Sequence, residues 1–417
     1  MSKPGLWGIV LLLAGLVFLA HFNRISISVA ANAHFIGEGK LSAAQMGTVY
    51  SAFLLVYTIL MLPGGWFIDR VGPRRALSLM GIGLGSWTAI TGLLGVAELA
   101  VAAMFVPLLI IRGLAGATSV PLHPGAARAV SLWLPVQHRS TANGLVTAGA
   151  LLGVALTYPV FGGIMERLGW SSAFAVCGLT MVLFALAWHF ATAGLAATGR
   201  SEHRPTMMEM FGLLKNRSLL LLALSYGAIG YVQYLFFYWI EYYFKNELNV
   251  PPDRSRLLTM DISLAMAAGM LLGGVLSDAV CRWMGRVRGC RLIVITGMCL
   301  GAGFSFCGLG TADAEIVTLW FSLAFACLGL CEGIFWTTAP LLEPKAGGLA
   351  CAVVNTSGNG FGLLAPLFTP IIGNYFGWDA AIVSACIACA VGGLLWFGIT
   401  FDRASEETPA IPPAHPS

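Results

Sequence analysis

GGWFIDRVGPRRA, residues 64–76, follows an apolar segment and combines paired glycines with an aspartate and three arginines. A second stretch of the same construction, GGVLSDAVCRWMGR at residues 273–286, follows another apolar segment in the second half of the chain. In both stretches the aspartate, Asp69 or Asp278, stands four residues after the second glycine. Such a repeat indicates that the two halves of the chain share one architecture.

The sequence around these stretches has the composition of a membrane protein. Hydrophobic residues make up 58% of the 417 and charged residues only 10%, whereas soluble domains carry about 25% charged residues. Apolar windows of about 20 residues recur along almost the whole chain, each long enough to cross roughly 30 Å of hydrocarbon. Backbone polar groups must be satisfied within each segment there, so the windows predict an all-α protein.

We predict twelve transmembrane helices arranged as two six-helix bundles. The bundles comprise residues 1–195 and 218–402, joined by a polar linker at 196–217, and the Pro-rich tail 403–417 is expected to be disordered. The helices are expected near residues 6–31, 43–68, 76–97, 100–130, 139–163, 171–194, 218–244, 257–282, 291–310, 314–341, 347–373 and 378–401.

Lysine and arginine predict the orientation. With twelve spans both termini lie on one side, and that side receives sixteen of the 23 Lys and Arg residues. Five fall on the opposite side: Lys40, Arg167, Lys245, Arg254 and Arg256. The positive-inside bias predicts cytoplasmic termini in a multi-pass protein of the cell (inner) membrane. The remaining two, Arg24 and Arg112, lie within apolar helices.

Several functional classes are disfavoured. The net charge of +4 is spread over loops and indicates no nucleic-acid partner, and the ten cysteines lie mostly in apolar segments without metal-binding spacing. They are interpreted as packing residues, so no metal or cofactor is expected. The sequence contains no Ser/His/Asp arrangement at workable spacing, no pore-loop signature and no nucleotide domain, which disfavours an enzyme, a channel and a pump.

Longer segments resemble one transporter family. The stretch at 64–76 resembles the loop signature of the major facilitator superfamily, and FNRISISVA at 22–30 resembles the first-helix motif of its anion:cation symporters. These include bacterial galactonate and hexuronate transporters and vesicular glutamate transporters. Residues 46–72, 112–133 and 353–373 are similar to the second, fourth and eleventh helices of that family. The resemblance implies a major facilitator fold with two pseudo-symmetric bundles.

The resemblance also implies a binding site for an anion. The family's first-helix arginine, which binds or organises the substrate carboxylate, corresponds to Arg24, and the fourth-helix arginine corresponds to Arg112. A guanidinium remains charged and offers a planar fork to a carboxylate. The alternatives are that Arg24 pairs with a buried acid or with helix carbonyls, and that Arg112 braces the bundle.

Polar residues on otherwise apolar helices complete the expected site. Hydroxyl, amide and indole groups suit a small hydroxylated or short carboxylate, and the expected binding residues besides the two arginines are Tyr57, Tyr234, Tyr238, Trp336, Asn355, Thr356, Ser357 and Asn359. For each aromatic residue the alternative is packing between helices or against lipid. The charged residues of the 64–76 loop, Asp69, Arg70 and Arg74, are expected to form a gate between helix ends.

The sequence departs from this family at the positions of its proton carriers. Relatives carry acids where this chain has Asn23 and Ser119, so the family's usual proton carriers are missing. Asp261, Glu332 and His123 are the candidate replacements, because an ionisable group inside an apolar helix is costly unless it is paired, protonated or hydrated. Glu241 and His21 are weaker candidates.

Together these patterns predict a monomeric secondary transporter in the lipid bilayer. It would carry a small organic anion, a sugar acid or another carboxylate, by proton symport and alternating access. An uncoupled uniporter or an anion exchanger is the first alternative. A membrane sensor that binds a ligand without moving it is the second.

Overall fold

The computed structural model describes residues 5–37, 40–97, 100–195, 212–213, 215–343 and 346–401. Most of the predicted linker and all of the predicted tail 403–417 lie outside these residues. The described chain forms twelve helical passages: α1 (Leu6–Ala30, continued by Ala31–Phe35), α2 (Ala43–Ile59 and Met61–Val71), α3 (Pro73–Val96), α4 (Phe105–Ser119 and Leu122–Trp133), α5 (Val136–Leu156, continued by Thr157–Phe161 and Gly162–Leu168), α6 (Trp170–Ala191), α7 (Arg217–Asn246), α8 (Pro252–Met284), α9 (Arg286–Cys307), α10 (Ala314–Leu342), α11 (Gly347–Gly362 and Leu364–Phe376) and α12 (Trp378–Leu394).

Ten helices of the described chain are long and apolar enough to cross a membrane. The other two passages, α2 and α11, are interrupted at equivalent positions, Leu60 and Leu363. A proline stands three residues after each interruption, at Pro63 and Pro366. Proline has no N–H to donate and its ring clashes with the preceding turn, which explains both breaks.

Four sharp connections repeat along the chain, at Gly72, Gly169, Gly285 and Gly377. Each joins the second and third helices of a consecutive group of three, and each glycine has a φ between 79° and 88°. Side chains disfavour this left-handed region, so glycine is required at these turns. The chain is therefore built from four three-helix repeats, a finer repetition than the two halves that the sequence predicted.

The helices of each half pack in corresponding pairs. In the first half α1 contacts α5, α2 contacts α4 and α3 contacts α6, and the second half pairs α7 with α11, α8 with α10 and α9 with α12. A Cβ added at Gly153 of α5 would lie 2.3 Å from the carbonyl oxygen of Phe18, and one at Gly230 of α7 would lie 2.1 Å from that of Gly358. Small residues thus allow backbone contact at both equivalent crossings.

The two halves meet along α1, α2 and α5 on one side and α7, α8 and α11 on the other. The Ser51 hydroxyl of α2 donates to the carbonyl of Leu363 at the α11 break, at 2.8 Å. A Cβ at Gly47 would lie 2.1 Å from the Pro366 carbonyl oxygen, so α2 and α11 touch directly. We call the end of the bundle opposite the N-terminus the distal end; α1 joins α2 there, and α7 joins α8.

Candidate functional site

Arg24 lies on α1 where that helix faces the second half. Its side chain is 7% exposed, and its Nη2 donates to the Tyr234 hydroxyl of α7 at 2.6 Å. The preceding residue, Asn23, donates from its amide to the carbonyl of Leu19 at 2.8 Å. Arg24 therefore reaches across the interface to a neutral partner.

Three aromatic rings surround the Arg24 guanidinium. Its central carbon lies 4.8 Å from the ring centroid of Phe53, 5.0 Å from Tyr234 and 5.7 Å from Tyr57. Cations are attracted to aromatic faces at such distances, with a strength of about 0.5–2 kcal/mol. These rings hold the guanidinium in place, but they do not supply a negative charge.

Arg112 of α4 lies beside Arg24 and is equally buried, with 4% of its side chain exposed. Its Nη2 donates to the main-chain carbonyl of Arg24 at 3.0 Å, and its central carbon lies 4.8 Å from the same Phe53 ring. The Nε atoms of both arginines are buried without a hydrogen-bond partner. Within the described residues no carboxylate forms an ion pair with either arginine.

A chain of neutral polar groups continues from Arg24 into the second half. The Tyr234 hydroxyl donates to Asn359 Oδ1 at 3.1 Å, and the Asn359 amide donates to the main-chain and side-chain oxygens of Asn355 at 3.0 and 3.1 Å. The Tyr238 ring stacks on Tyr234, with ring centroids 6.2 Å apart. The structure thus brings together Arg24, Tyr57, Arg112, Tyr234, Tyr238, Asn355 and Asn359 from the predicted set.

Phe53 is the part of this site that sequence reasoning missed. It contacts both guanidinium groups and stacks on Tyr57, one helical turn further along α2, at a centroid distance of 6.1 Å. The signal was its spacing of four residues from Tyr57, which places both rings on one face of the helix. Phenylalanine is so common in this chain that the spacing alone did not single it out.

Glu332 of α10 forms a second polar group in the other half. Its Oε1 accepts from the Tyr226 hydroxyl at 2.6 Å and from the Trp336 indole at 3.3 Å, while its Oε2 has no hydrogen-bond partner. No ion pair to Glu332 is found within the described chain. The predicted residue Trp336 therefore contacts Glu332 rather than Arg24. A carboxyl group surrounded by neutral donors is suited to binding and releasing a proton.

Asp261 does not lie in this site. It is exposed on the outer face of α8, the same face that carries Leu257 and Leu272. This exposed position separates Asp261 from the buried groups around Arg24, and a role of Asp261 in proton coupling stays a prediction. An acid in an apolar helix can be recognised from sequence, but the face that it occupies depends on how the helices pack.

His123 and His21 lie close to Arg24 in the first half. Their rings meet edge to face with centroids 5.2 Å apart, and the His21 Nδ1 lies 3.0 Å from the Val17 carbonyl oxygen. His21 is buried, whereas the side chain of His123 is exposed. A role of His123 in proton transfer stays a prediction.

Thr356 and Ser357 are partly exposed residues of α11. The Ser357 hydroxyl faces α7 near Gly227, where an added Cβ would lie 3.0 Å from it. The structure shows no hydrogen bond from either described side chain to Arg24. Their assignment to substrate binding stays a prediction.

The predicted gate residues lie at the end of the bundle that is opposite the distal end. Arg74 Nε donates to the carbonyl of His189 at 3.0 Å, and the Trp188 indole donates to the carbonyl of Arg74 at 3.3 Å. These contacts join α3 to α6 within the first half. Arg70 is exposed, and the side chain of Asp69 lies outside the described residues. A gating role of the three residues stays a prediction.

A buried charged cluster joins the two halves near the distal end, and the sequence did not reveal it. Arg256 of α8 binds Glu166 of α5 and lies 3.6 Å from Glu241 of α7. Glu241 Oε2 accepts from the Asn32 amide of α1 at 3.3 Å, and Lys245 donates to the Asn32 carbonyl at 2.5 Å. We call these five residues the distal cluster. Arg256, Glu241 and Asn32 are each at most 4% exposed.

Local backbone features build the distal cluster. Asn32 lies in the π-helical turn Ala31–Phe35, and another π-helical turn, Thr157–Phe161, directly precedes Gly162. A Cβ at Gly162 would lie 2.6–2.8 Å from the Arg256 side chain, so the guanidinium occupies space that only glycine leaves open. Single π-helical turns are rare and often mark functional positions.

The chain belongs to the major facilitator superfamily, whose family profile matches residues 13–345. A D-galactonate transporter of Escherichia coli is 26% identical over 93% of both chains. A probable sulfoacetate transporter of Cupriavidus necator is 28% identical over 86% of this chain and 84% of that protein. A probable galactarate/D-glucarate transporter of Bacillus subtilis is 26% identical over 88% and 85%, respectively.

A solved structure shares the fold. The bacterial homologue of the human lysosomal transporter Spinster, in an inward-facing and unoccupied conformation, superimposes with a TM-score of 0.79 at 18% identity, covering 98% of this chain and all of that one. The predicted family, the all-α major facilitator fold and the non-enzymatic nature of the protein are confirmed. The chain is a multi-pass membrane protein whose relatives are transporters of organic acids.

Proposed function

We propose that this chain carries a small organic anion across the cell membrane by alternating access, with Arg24 as the cation that binds the carboxylate. The observation that carries the proposal is the contact of Arg24 with Tyr234, which spans the two halves while no carboxylate of the described chain pairs with Arg24. The names of the relatives, which mention sugar acids and sulfoacetate, support the same substrate class.

Substrate binding would replace the hydrogen bond between Arg24 and Tyr234 by a stronger one. A carboxylate that accepts from Arg24 Nη2 competes with the neutral Tyr234 hydroxyl, and charge-assisted hydrogen bonds are roughly twice as strong as neutral ones. Because Tyr234 belongs to the second half, this exchange alters a bond that links the halves. We propose that residues 1–195 and 218–402 rock about this point as two bundles of one monomer, as is typical of inverted-repeat transporters.

The proposed orientation places both termini in the cytoplasm and the distal end outside. The distal cluster then closes the outer side, which corresponds to an inward-facing state. The excess of Lys and Arg on the side of the termini supports this orientation. Protease accessibility of tags at either terminus, compared between sealed spheroplasts and inverted vesicles, tests it; digestion in spheroplasts would reverse the assignment.

We propose proton symport as the coupling mode, with Glu332 as the proton carrier. Glu332 combines a partner-free Oε2 with two neutral donors, and Asp261 lies on the outer face of α8. The test measures uptake of labelled organic acid into proteoliposomes with and without a pH gradient that is acidic outside and alkaline inside. An imposed gradient should drive accumulation in the wild type, and Glu332→Gln should retain exchange but lose accumulation.

Two results separate the proposal from its alternatives. Equal uptake with and without the gradient would identify a uniporter or an exchanger. Binding of an acid without any counterflow of labelled substrate would identify a sensor.

A further inference from the structure

The site contains two buried positive charges for which the described protein supplies no negative partner. Arg24 and Arg112 are 7% and 4% exposed, and their nearest polar contacts are a tyrosine hydroxyl and a main-chain carbonyl. Removing a guanidinium from water costs several kcal/mol even after relaxation, unless a counter-charge is close. A singly charged ligand would neutralise only one of the two cations.

The two cations lie against the same aromatic ring. Each guanidinium carbon lies 4.8 Å from the centroid of Phe53, so the two carbons are less than about 10 Å apart. Arg112 is also tied to Arg24 through the 3.0 Å hydrogen bond to its carbonyl. Two anionic groups at opposite ends of a short carbon chain can reach both guanidinium groups.

Neither Glu241 nor Glu332 removes this excess. Glu241 is engaged by Arg256 and Asn32 in the distal cluster. Glu332 is bound by Tyr226 and Trp336. If Glu332 carries a proton, the two arginines leave the site with a charge of +2. A doubly charged anion bound together with that proton gives a loaded site of zero net charge, which favours movement through a low-dielectric membrane.

We infer that the site selects small organic dianions, in which a second carboxylate or a sulfonate engages Arg112 while the first engages Arg24. This inference rests on the proposed function, since it names the substrate class of the same site. Arg24 acts as the general anion-binding cation, and Arg112 acts as the residue that distinguishes di-acids from mono-acids.

The test uses pairs of acids that differ only at one terminus, a carboxylate replacing a hydroxymethyl group. Suitable pairs are malonate with 3-hydroxypropionate, tartronate with glycerate, and galactarate with galactonate. Binding to the purified full-length protein is measured by isothermal titration, and uptake is measured in proteoliposomes. In at least one pair the di-acid should bind about tenfold or more tightly, the equivalent of about 1.4 kcal/mol.

Variants of Arg112 give a second, independent readout. Arg112→Gln should reduce the ratio of di-acid to mono-acid affinity towards one, whereas Arg112→Lys, which keeps the charge, should preserve part of it. Mono-acids binding as tightly as their di-acid partners in the wild type would overturn the inference while the transport proposal stands. Failure of every acid to bind or to be transported would overturn both.

Discussion

Two arginines at the interface between the halves have opposite surroundings. Arg256, near the distal end, is bound by Glu166 and lies within ion-pair distance of Glu241 and Asp253. Arg24, in the middle of α1, contacts a tyrosine and three aromatic rings but no carboxylate in the described chain. The described protein neutralises the first cation itself and supplies no carboxylate to the second. We therefore propose that the first arginine holds the halves together and that the second changes partner during transport.

The largest expected effect separates these two roles. Arg24→Gln should reduce uptake of organic acid by more than about 100-fold, because losing a buried charge pair with substrate costs about 3–5 kcal/mol. Its thermal stability should stay near that of the wild type, since no carboxylate within the described residues pairs with Arg24. Arg254→Gln is the matched control: that arginine pairs with exposed Glu315 inside one half. Near-normal uptake by Arg24→Gln would remove the assignment.

Arg256→Gln, in contrast to Arg24→Gln, should lower the thermal stability of the protein. It leaves Glu241 buried without its cation, which costs about 3–5 kcal/mol, and the protein should melt at a lower temperature. Hydrogen exchange should rise at the distal ends of α1, α5 and α7. Arg254→Gln should change stability by less than about 1 kcal/mol, as expected for a surface pair. Equal exchange in the two variants would show that the distal cluster does not close this end.

A smaller effect is expected from the glycine beneath Arg256. Gly162→Ala adds a methyl group 2.6–2.8 Å from the guanidinium, so the side chain must shift and its ion pairs weaken. We expect a loss of about 1–3 kcal/mol, as for overpacking in a core. Gly163→Ala, whose methyl group meets nothing within 4 Å, is the control. The comparison is read from thermal melting, and equal melting temperatures would contradict the proposed fit.

The smallest effect is expected at the hydroxyl that orients Arg24. Tyr234→Phe keeps the ring over the guanidinium but removes the 2.6 Å hydrogen bond. We expect organic acids to bind about tenfold more tightly, because the carboxylate then displaces no hydroxyl from Arg24; this corresponds to the low end of the roughly 1.5–3 kcal/mol that hydrogen bonds to charged groups contribute. Tyr231→Phe is the control, because that hydroxyl lies 3.1 Å from Ser384 Oγ, away from Arg24. Similar affinities of the two variants would show that this hydroxyl does not compete with the substrate for the guanidinium.

The contrast between Arg24 and Arg256 also shows which features could be predicted from the sequence. Apolar windows and the repeat at 64–76 and 273–286 were sufficient to predict the helical membrane fold, because each helix is specified locally by its composition. Arg24 and Arg112 could be picked out as candidate site residues from the sequence, because a cation within an apolar helix is energetically costly.

Contacts across the interface could not be predicted in this way. Asp261 carries the same local signal as Glu332, yet it lies on the outer face of its helix. Glu166 and Arg256 lie 90 residues apart in sequence, and only the packing of α5 against α8 brings them together. The four glycine turns were missed because a positive φ leaves no periodic pattern in the sequence.

The most direct test is the position of a bound organic acid in an experimental structure of the full-length protein. We predict that density for one carboxylate lies within hydrogen-bond distance of Arg24 Nη2, where the Tyr234 hydroxyl now lies. An acid bound elsewhere, or a carboxylate of the protein itself occupying that position in the transport-competent state, would contradict the claim that this cation is kept for the substrate.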